Sequence, residues 1–275
     1  MTAQDQGERA SLLTEAREVA ATAMEMIRLA GAEPQSWEHV ATKSLGDYVT
    51  EHDVAVETRI REEFAKRTPH IPLLGEESGG GSHDRMWVVD PIDGTTNFAR
   101  RYPIVGVSIA LVEEMVPTVG VVGAPFLGHM WTGILGEGAH DDAGHALNVR
   151  GEGEGIVAAL GFPFRKRERM KEFLPVFHEA LMAFEDIRRP GTASLDLTFT
   201  AGGSNDGYFE LGLGLWDIAA GSLLVREAGG IVTDWEGSST DVFASGDIVA
   251  GSPRFHRAMM ECIERARTSD HTAFR

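Results

Sequence analysis

Apolar positions in the first thirty residues recur at intervals of three and four. Leu12, Ala16, Val19, Ala20, Ala23 and Ile27 form one stripe, which predicts an amphipathic helix over 8–30 with Gly31 as its C-cap. A second stripe of Val56, Ile60 and Phe64 predicts a helix over 52–67, with Pro69 just past its end. The segment between them, ATKSLGDYVTEHD (41–53), has neither period and reads as loop or short extended structure. From residue 71 the pattern changes. IPLLG, MWVVD, VGVSIALV, VPTVGVVGAP and HMWTGIL are short apolar runs with turn residues between them, so an antiparallel or mixed sheet is expected. After residue 150 strands alternate with helices: IVAALGF, a helix over 168–185, DIRR, a helix over 192–202, DGYFEL, a helix over 216–228, GIVTDW, DIVAG and a helix over 253–267. This rhythm predicts a second, helix-covered sheet, hence two α/β halves, 1–150 and 151–275.

Composition narrows the function. Hydrophobic residues make up 43% of the 275 and charged residues 24%, as in ordinary globular proteins. The formal net charge is −17. Such a field repels nucleic-acid backbones, so no direct nucleic-acid partner is expected. It repels anionic small molecules as well, so an anion site here needs metal cations or local dipoles. Cys262 is the single cysteine, which excludes an intrachain disulfide and a multi-cysteine zinc site. The polar start MTAQDQGERA lacks a signal-peptide core, and no apolar run approaches membrane-spanning length. The expectation is a soluble, cytoplasmic protein with no membrane partner.

The chemistry concentrates in WVVDPIDGTTNF, residues 87–98. An apolar strand delivers Asp90, Pro91 is expected to turn the chain, and Asp93 follows three residues on. Gly94 permits close backbone approach, and Thr95 and Thr96 can open a helix whose first amides would cradle a phosphate. Paired carboxylates at a strand end suit hard divalent cations. GEES (75–78) also follows an apolar strand and offers Glu76 or Glu77 to the same place. WDIAAG (216–221) places Asp217 at the start of an apolar helix. Taken singly, a DPxDG is a turn and an aspartate at a helix start is a cap. Three acidic clusters, each at an element end, point to a shared site.

The blocks GEES, WVVDPIDGTTNF and GYFELGLGLWDIAAGSLLVREAGG (207–230) together resemble the inositol monophosphatase family, with further support from KSLGDYVTEHD and RRPGTASLDL. The resemblance implies an α+β fold, a layered αβαβα sandwich with two mixed sheets, and a homodimer sensitive to lithium. It implies two or three Mg²⁺ ions held by Glu76, Asp90, Asp93, Asp217 and the carbonyl of Ile92. It assigns Thr95 and Asp53, with Glu76, to activation of the attacking water. Lys43, Asp93, Gly94 and Thr95 fall near the phosphate, and Gly191, Thr192, Ala193 and Glu210 near the inositol ring. The implied activity is hydrolysis of inositol monophosphate, a small phosphorylated polyol, by direct attack of metal-activated water. Histidinol phosphate and fructose 1,6-bisphosphate are alternative substrates for the same chemistry, and a non-catalytic regulatory or binding protein is the reading from a different class. Thr96 stands where nucleotide-directed relatives usually carry lysine. GLGLWD departs from the GLKPWD frequent in bacterial members and lacks its basic residue.

Other signals have plainer readings. AHDDAGHA (139–146) is expected to be a solvated hairpin between strands, and GEGEG (151–155) lacks the lysine of a P-loop. Trp87 and Trp216 read as core anchors beside the acidic motifs. The run RKRER (165–169), after GFPF, is either a solvated face or a contact for phosphate or a partner, at a place suited to specificity.

Overall fold

The computed structural model describes residues 3–32, 40–44, 47–153 and 155–268, the side chains of 3–4, 40–44 and 47–49 excepted. The first stripe folds as α1 (Ala3–Ala32) and the second as α2 (Glu51–Arg67). Gly31 lies within α1 and does not cap it. A Cβ there would come within 2.7 Å of the Phe126 ring, so close packing explains the glycine. Between the helices β1 (Val40–Ser44) and β2 (Asp47–Thr50) pair as an antiparallel hairpin. α2 opens on a capping box: Thr50 Oγ1 accepts from the N–H groups of His52 and Asp53, and Asp53 accepts from the Thr50 N–H.

The first large sheet contains β3 (Leu73–Gly75), β4 (Arg85–Asp93), β5 (Gly106–Glu113), β6 (Val116–Ala124), β7 (His129–Ile134) and β8 (Gly138–His140), in that order. β3 runs parallel to β4 and the remaining pairs are antiparallel. A short helix, α3 (Thr95–Ala99), follows β4 directly. The second sheet contains β9 (Val157–Leu160), β10 (Asp186–Arg188), β11 (Gly207–Glu210), β12 (Ile231–Thr233) and β13 (Ile248–Gly251), in the order β10-β9-β11-β13-β12. β9, β10 and β11 are parallel, whereas β13 is antiparallel to both its neighbours. The helices are α4 (Met170–Ala183), α5 (Ala193–Ala201), α6 (Leu215–Glu227), α7 (Val242–Ser245) and α8 (Pro253–Thr268). Residues Phe164–Arg169, expected in part to begin a helix, form a 3-10 segment with non-helical backbone at Lys166.

Side-chain alternation along the strands sets the layers. On β4, Trp87 and Val89 face α1 and α2, where Trp87 stacks on Phe64 with ring centroids 4.4 Å apart. Met86 and Val88 face the opposite way, onto a core shared with α5 and α6. That core also takes Tyr208, Ile248 and Ala250 from the second sheet. The outer face of the second sheet, with Leu160, Phe209 and Val249, is covered by Phe173 of α4 and by Phe255, Met259 and Ile263 of α8. The fold is therefore α+β, with two mixed sheets layered αβαβα. α6 lies between the sheets and is buried continuously from Asp217 to Val225, which explains its apolar sequence on every side. Among the described residues no helix is long and apolar enough to cross a membrane.

Pro91 does not turn the chain. β4 continues through it, and the register slips between Asp90↔Ser108 and Asp93↔Gly106. One extra residue on β4 makes a β-bulge, a position where the missing proline N–H breaks no ladder bond. In a regular strand residues three apart face opposite sides. The bulge reverses that parity and puts Asp90 and Asp93 on the side of α5 and α6.

Leu224, fully buried in the middle layer, and Leu181, 53% exposed on α4, give a contrast that tests the layering. Leu224→Ala should lower the unfolding free energy by about 2–5 kcal/mol. Leu181→Ala should change it by less than about 0.5 kcal/mol. Urea melts with unchanged m-values are the measurement.

Candidate active site

Carboxylates arrive at one place from three element ends. Glu76 follows β3 in a turn held from below by α2. The buried Glu57 carboxylate accepts the N–H groups of Glu77 (2.7 Å) and Ser78 (3.0 Å) and the Ser78 hydroxyl. Arg61 donates to Glu57 (3.2 Å) and to the Leu73 carbonyl (3.0 Å). Asp90 and Asp93 come from the bulge. Asp217 is the third residue of α6 and accepts the Gly214 N–H at 2.6 Å, so the capping role and the site role coexist.

Ligand oxygens of Glu76, Asp90 and Asp217 lie within 4.8 Å of one another. Glu76, not Glu77, is the glutamate in this group. Asp90 is 1% exposed. Its Oδ1 accepts the Ile92 N–H at 3.0 Å, and its Oδ2 is buried with no hydrogen-bond partner among the described residues. Burial, and then the charges of Glu76, Asp93 and Asp217, hold the Asp90 carboxyl well above the usual range. Asp93 accepts the Ser194 N–H at 2.7 Å, and burial followed by the Asp217 charge pushes it up to about 7. Arg165 donates to Glu76 Oε1 at 3.0 Å and lies 3.4 Å from Asp217 Oδ2, so a cation already bridges two of the carboxylates. The donors are all oxygen, and one buried oxygen has no partner. That set fits a hard divalent cation.

Beside the cluster, Thr95 Oγ1 is 2.9 Å from Asp53 Oδ1 and 3.2 Å from the Ile92 carbonyl. Burial raises the Asp53 carboxyl, opposed by hydrogen bonds from Thr50 and Thr95. Gly94 takes φ 91° at the entry to α3, and a Cβ there would lie 2.6 Å from Thr192 Oγ1. That contact brings the α3 turn against the loop before α5. Asn97 Nδ2 fixes the same junction by donating to the carbonyls of Ile104 (2.8 Å) and Pro190 (2.9 Å).

A cavity of about 310 Å³ opens from Asp93 and Asp217 toward the second sheet. Gly94, Thr95, Gly191, Thr192, Ala193 and Glu210 line it. Glu210 accepts the Tyr208 hydroxyl, and burial pushes its carboxyl up to about 8. Lys43 lies on β1, its side chain outside the described residues.

Several residues here were missed by the motif analysis. Arg165 sat in the flagged basic run without a partner assigned. Glu57 and Arg61 follow the already assigned Asp53 at successive i, i+4 steps on α2, a readable pattern on an otherwise apolar-striped helix. Asp196, an acid within the apolar helix α5, lines the cavity with Oδ1 unpartnered among the described residues. AHDDAGHA holds no group of three metal-ligating side chains among the described residues, and the Asp141 carboxylate pairs with the His145 ring at 3.0 Å. Asp141 accepts from the Ala143 and His145 N–H groups in an exposed turn, and Gly138–His140 is the edge strand β8.

Residues 8–270 match the inositol monophosphatase family. The Nus factor SuhB of Pasteurella multocida is 40% identical over 226 residues, 81% of this chain and 84% of that protein. The extragenic suppressor protein suhB of Bartonella henselae superposes with TM-score 0.86 at 33% identity, covering 92% of this chain and 98% of the other. An inositol monophosphatase from Anabaena (Nostoc) sp. PCC 7120 superposes with TM-score 0.82 at 31% identity, covering 93% and 96%.

The carboxylate cluster sets two stability expectations. Asp90→Asn replaces a buried ionisable carboxyl by a group that is neutral at every pH and gives the unpartnered position an N–H₂ donor facing Glu76 and Asp217. Metal-free Asp90→Asn should be more stable than wild type by about 1–3 kcal/mol, and Mg²⁺ should no longer raise its melting temperature. Asp93 and Glu210 bind protons more tightly folded than unfolded. Their stabilising contribution is complete below about pH 4 and is lost as the pH rises through about 7 and 8. Melts in EDTA should therefore fall in midpoint from pH 5 to 8, while the stabilisation added by Mg²⁺ grows over the same interval. A midpoint in EDTA that climbs toward pH 8 would contradict this electrostatic account.

Proposed function

The chain belongs to the inositol monophosphatase family, and from that premise we propose a Mg²⁺-dependent phosphomonoesterase that hydrolyses inositol monophosphate to inositol and phosphate. The observation carrying this reading is the convergence of Glu76, Asp90 and Asp217, with a buried Asp90 oxygen lacking a partner. Those three side chains, Asp93 and the Ile92 carbonyl are assigned to two or three Mg²⁺ ions. When bound, such ions acidify a water, neutralise the phosphate and stabilise the departing oxygen.

The chain's own groups supply the rest. Thr95 donates its proton to Asp53, which leaves the hydroxyl lone pairs to accept a hydrogen bond from the attacking water and aim it. Glu76 is placed to share in activating that water. The first amides of α3, after Gly94, meet the phosphate oxygens, with Lys43 assigned nearby. Gly191, Thr192 and Ala193 form the wall for the polyol ring, and Glu210 accepts ring hydroxyls when ionised. Thr192 is already engaged with the Ile104 carbonyl at 2.8 Å, so its contribution is shape. Residues 1–150 thus supply most cation ligands, and 151–275 supply Asp217 and the ring wall. Histidinol phosphate and fructose 1,6-bisphosphate are the alternative substrates. A homodimer, lithium sensitivity and a cytoplasmic location complete the reading.

The name Nus factor, carried by relatives 40% identical, favours a second reading: a regulatory or binding protein on the same fold. The complete acidic set supports catalysis, since a binding role alone would not require it.

Phosphate release from inositol 1-phosphate, histidinol phosphate and adenosine 3′,5′-bisphosphate at fixed Mg²⁺ tests both. The expected result is EDTA-sensitive release, faster from inositol 1-phosphate than from the other two. Asp90→Asn should keep less than about a tenth of the rate. Thr95→Ala should lose about 100-fold in kcat. Metal binding without release from any ester would favour the binding-protein reading.

A further inference from the structure

The 3-10 segment Phe164–Arg169 runs along the cavity on a backbone that leaves the helical region at Lys166 (φ −131°, ψ 61°), so the side chains of its basic run go to different places. Arg169 pins the segment. It donates to Asp247 Oδ2 at 2.9 Å and to Glu172 Oε2 at 2.8 Å, and Asp247 in turn accepts the Gly212 N–H at 3.0 Å. Arg167 lies over the Phe164 ring, 5.4 Å from its centroid. Lys166, Arg167 and Arg189 line the cavity together with Arg165. Arg165 reaches the acidic cluster itself. Its Nη2 donates to Glu76 Oε1 at 3.0 Å and its Nη1 lies 3.4 Å from Asp217 Oδ2. One planar guanidinium thus spans two of the three carboxylates that converge there.

This bridge differs from a surface ion pair. The Glu76 and Asp217 side chains are 10% and 4% exposed, so salt screens the contact weakly. The Arg165 side chain is 40% exposed, which gives the guanidinium an open path off the carboxylates. Its charge also opposes the rise of the Asp90, Asp93 and Glu210 carboxyls, so it is set against the acidic group as a whole. A carboxylate oxygen has two lone pairs. Those of Asp217 Oδ2 meet the Gly214 N–H, at 2.6 Å, and Arg165, so this oxygen has none left for a cation while Arg165 stays. Mg²⁺ binding draws carboxylate oxygens in to about 2.0–2.1 Å, inside the distances at which Arg165 stands, and brings two charges where the guanidinium brings one. The two cations therefore exclude each other.

We propose that Arg165 is a built-in competitor of the divalent cation: its guanidinium bridges Glu76 and Asp217, leaves them for the cavity as the carboxylates bind Mg²⁺, and so sets the Mg²⁺ concentration at which the site loads. This rests on the reading of the cluster as a cation site and adds its regulation. The exchange needs only a side-chain movement, because Arg169 and Asp247 hold the backbone of the segment. A bridge formed roughly nine-tenths of the time weakens the apparent affinity about tenfold. The coupling is reciprocal: the bridge stabilises the protein without Mg²⁺ by as much as it weakens Mg²⁺ binding.

Calorimetric titration of MgCl₂ into EDTA-stripped protein at fixed ionic strength is the test, with thermal melts in EDTA and in Mg²⁺ beside it. Arg165→Met removes the charge and keeps most of the stem. It should bind Mg²⁺ about tenfold more tightly than wild type and melt below wild type in EDTA, the melting difference closing at saturating Mg²⁺. Arg165→Lys, which keeps the charge and loses the fork, should bind Mg²⁺ less tightly than Arg165→Met. Arg167→Met removes a like charge from the same cavity and should change the affinity less than about threefold, which separates direct competition from the general field. Equal affinities in wild type and Arg165→Met, or weaker binding in Arg165→Met, overturn the proposal and leave the cation site standing. An equally large gain in Arg167→Met overturns it as well. No Mg²⁺ binding by any of the four proteins defeats the cation reading, and this proposal with it.

Discussion

The constraint behind this structure is the crowding of carboxylates away from water. Glu76, Asp90 and Asp217 bring oxygens within 4.8 Å of one another, and Asp93 stands beside them. Desolvation alone drives such groups toward neutrality, and mutual repulsion drives them further. A chain does not hold this arrangement by chance, because each neighbour makes the next ionisation harder. The local architecture answers that difficulty. The Pro91 bulge turns two aspartates to one side, Glu57 and Arg61 grip the turn that carries Glu76, and the Gly214 N–H anchors Asp217. Arg165 supplies positive charge from the far side of the cavity. The repulsion is kept at the site, where the proposed cations would relieve it.

The layered fold explains why the cavity has two chemically different ends. The first sheet and α6 bring the carboxylates, while the second sheet brings Glu210 on β11 and the Gly191–Ala193 loop before α5. α6 lies between the sheets, so the helix that presents Asp217 is packed by both. Its burial from Asp217 to Val225 ties the position of a metal-ligand candidate to the middle of the core. The junction of α3 with the α5 loop is fixed in a similar way, through Gly94 against Thr192 and Asn97 between two carbonyls. Stability of the core and geometry of the site are thus carried by the same contacts.

Much of this was legible in the residue pattern. The stripes of α1 and α2, the strand runs and the alternation after residue 150 all follow from periodicity, because burial on one face imposes it. The acidic motifs were legible because each falls where an apolar run stops. What was not legible depends on contacts distant in sequence. Pro91 reads locally as a turn, and only the pairing of β4 with β5 shows a bulge. Gly31 reads as a cap until Phe126, far along the chain, is seen against it. Glu57 is one more acid on a charged helix until the 75–79 turn folds over it. Choosing Glu76 over Glu77 required the family pattern or the coordinates, since both follow the same strand.

The net charge of −17 and the basic wall of the cavity bear on the same question from opposite sides. Net charge governs the far field, which salt screens within about 8 Å at physiological ionic strength. Inside a cavity of about 310 Å³ the nearest groups dominate. An anion entering there meets Lys166, Arg167 and Arg189 on one side, with Asp196 and Glu210 beside Arg189, and on the other Asp93 and Asp217, whose charge the proposed cations would neutralise. Without bound metal, the same anion would face Asp93 and Asp217 directly and be repelled. On the phosphatase reading, metal loading would therefore precede productive binding of the scissile phosphate, whereas the cations of the cavity wall belong to the chain itself. The order of events is set by which charges the chain supplies itself and which it must acquire.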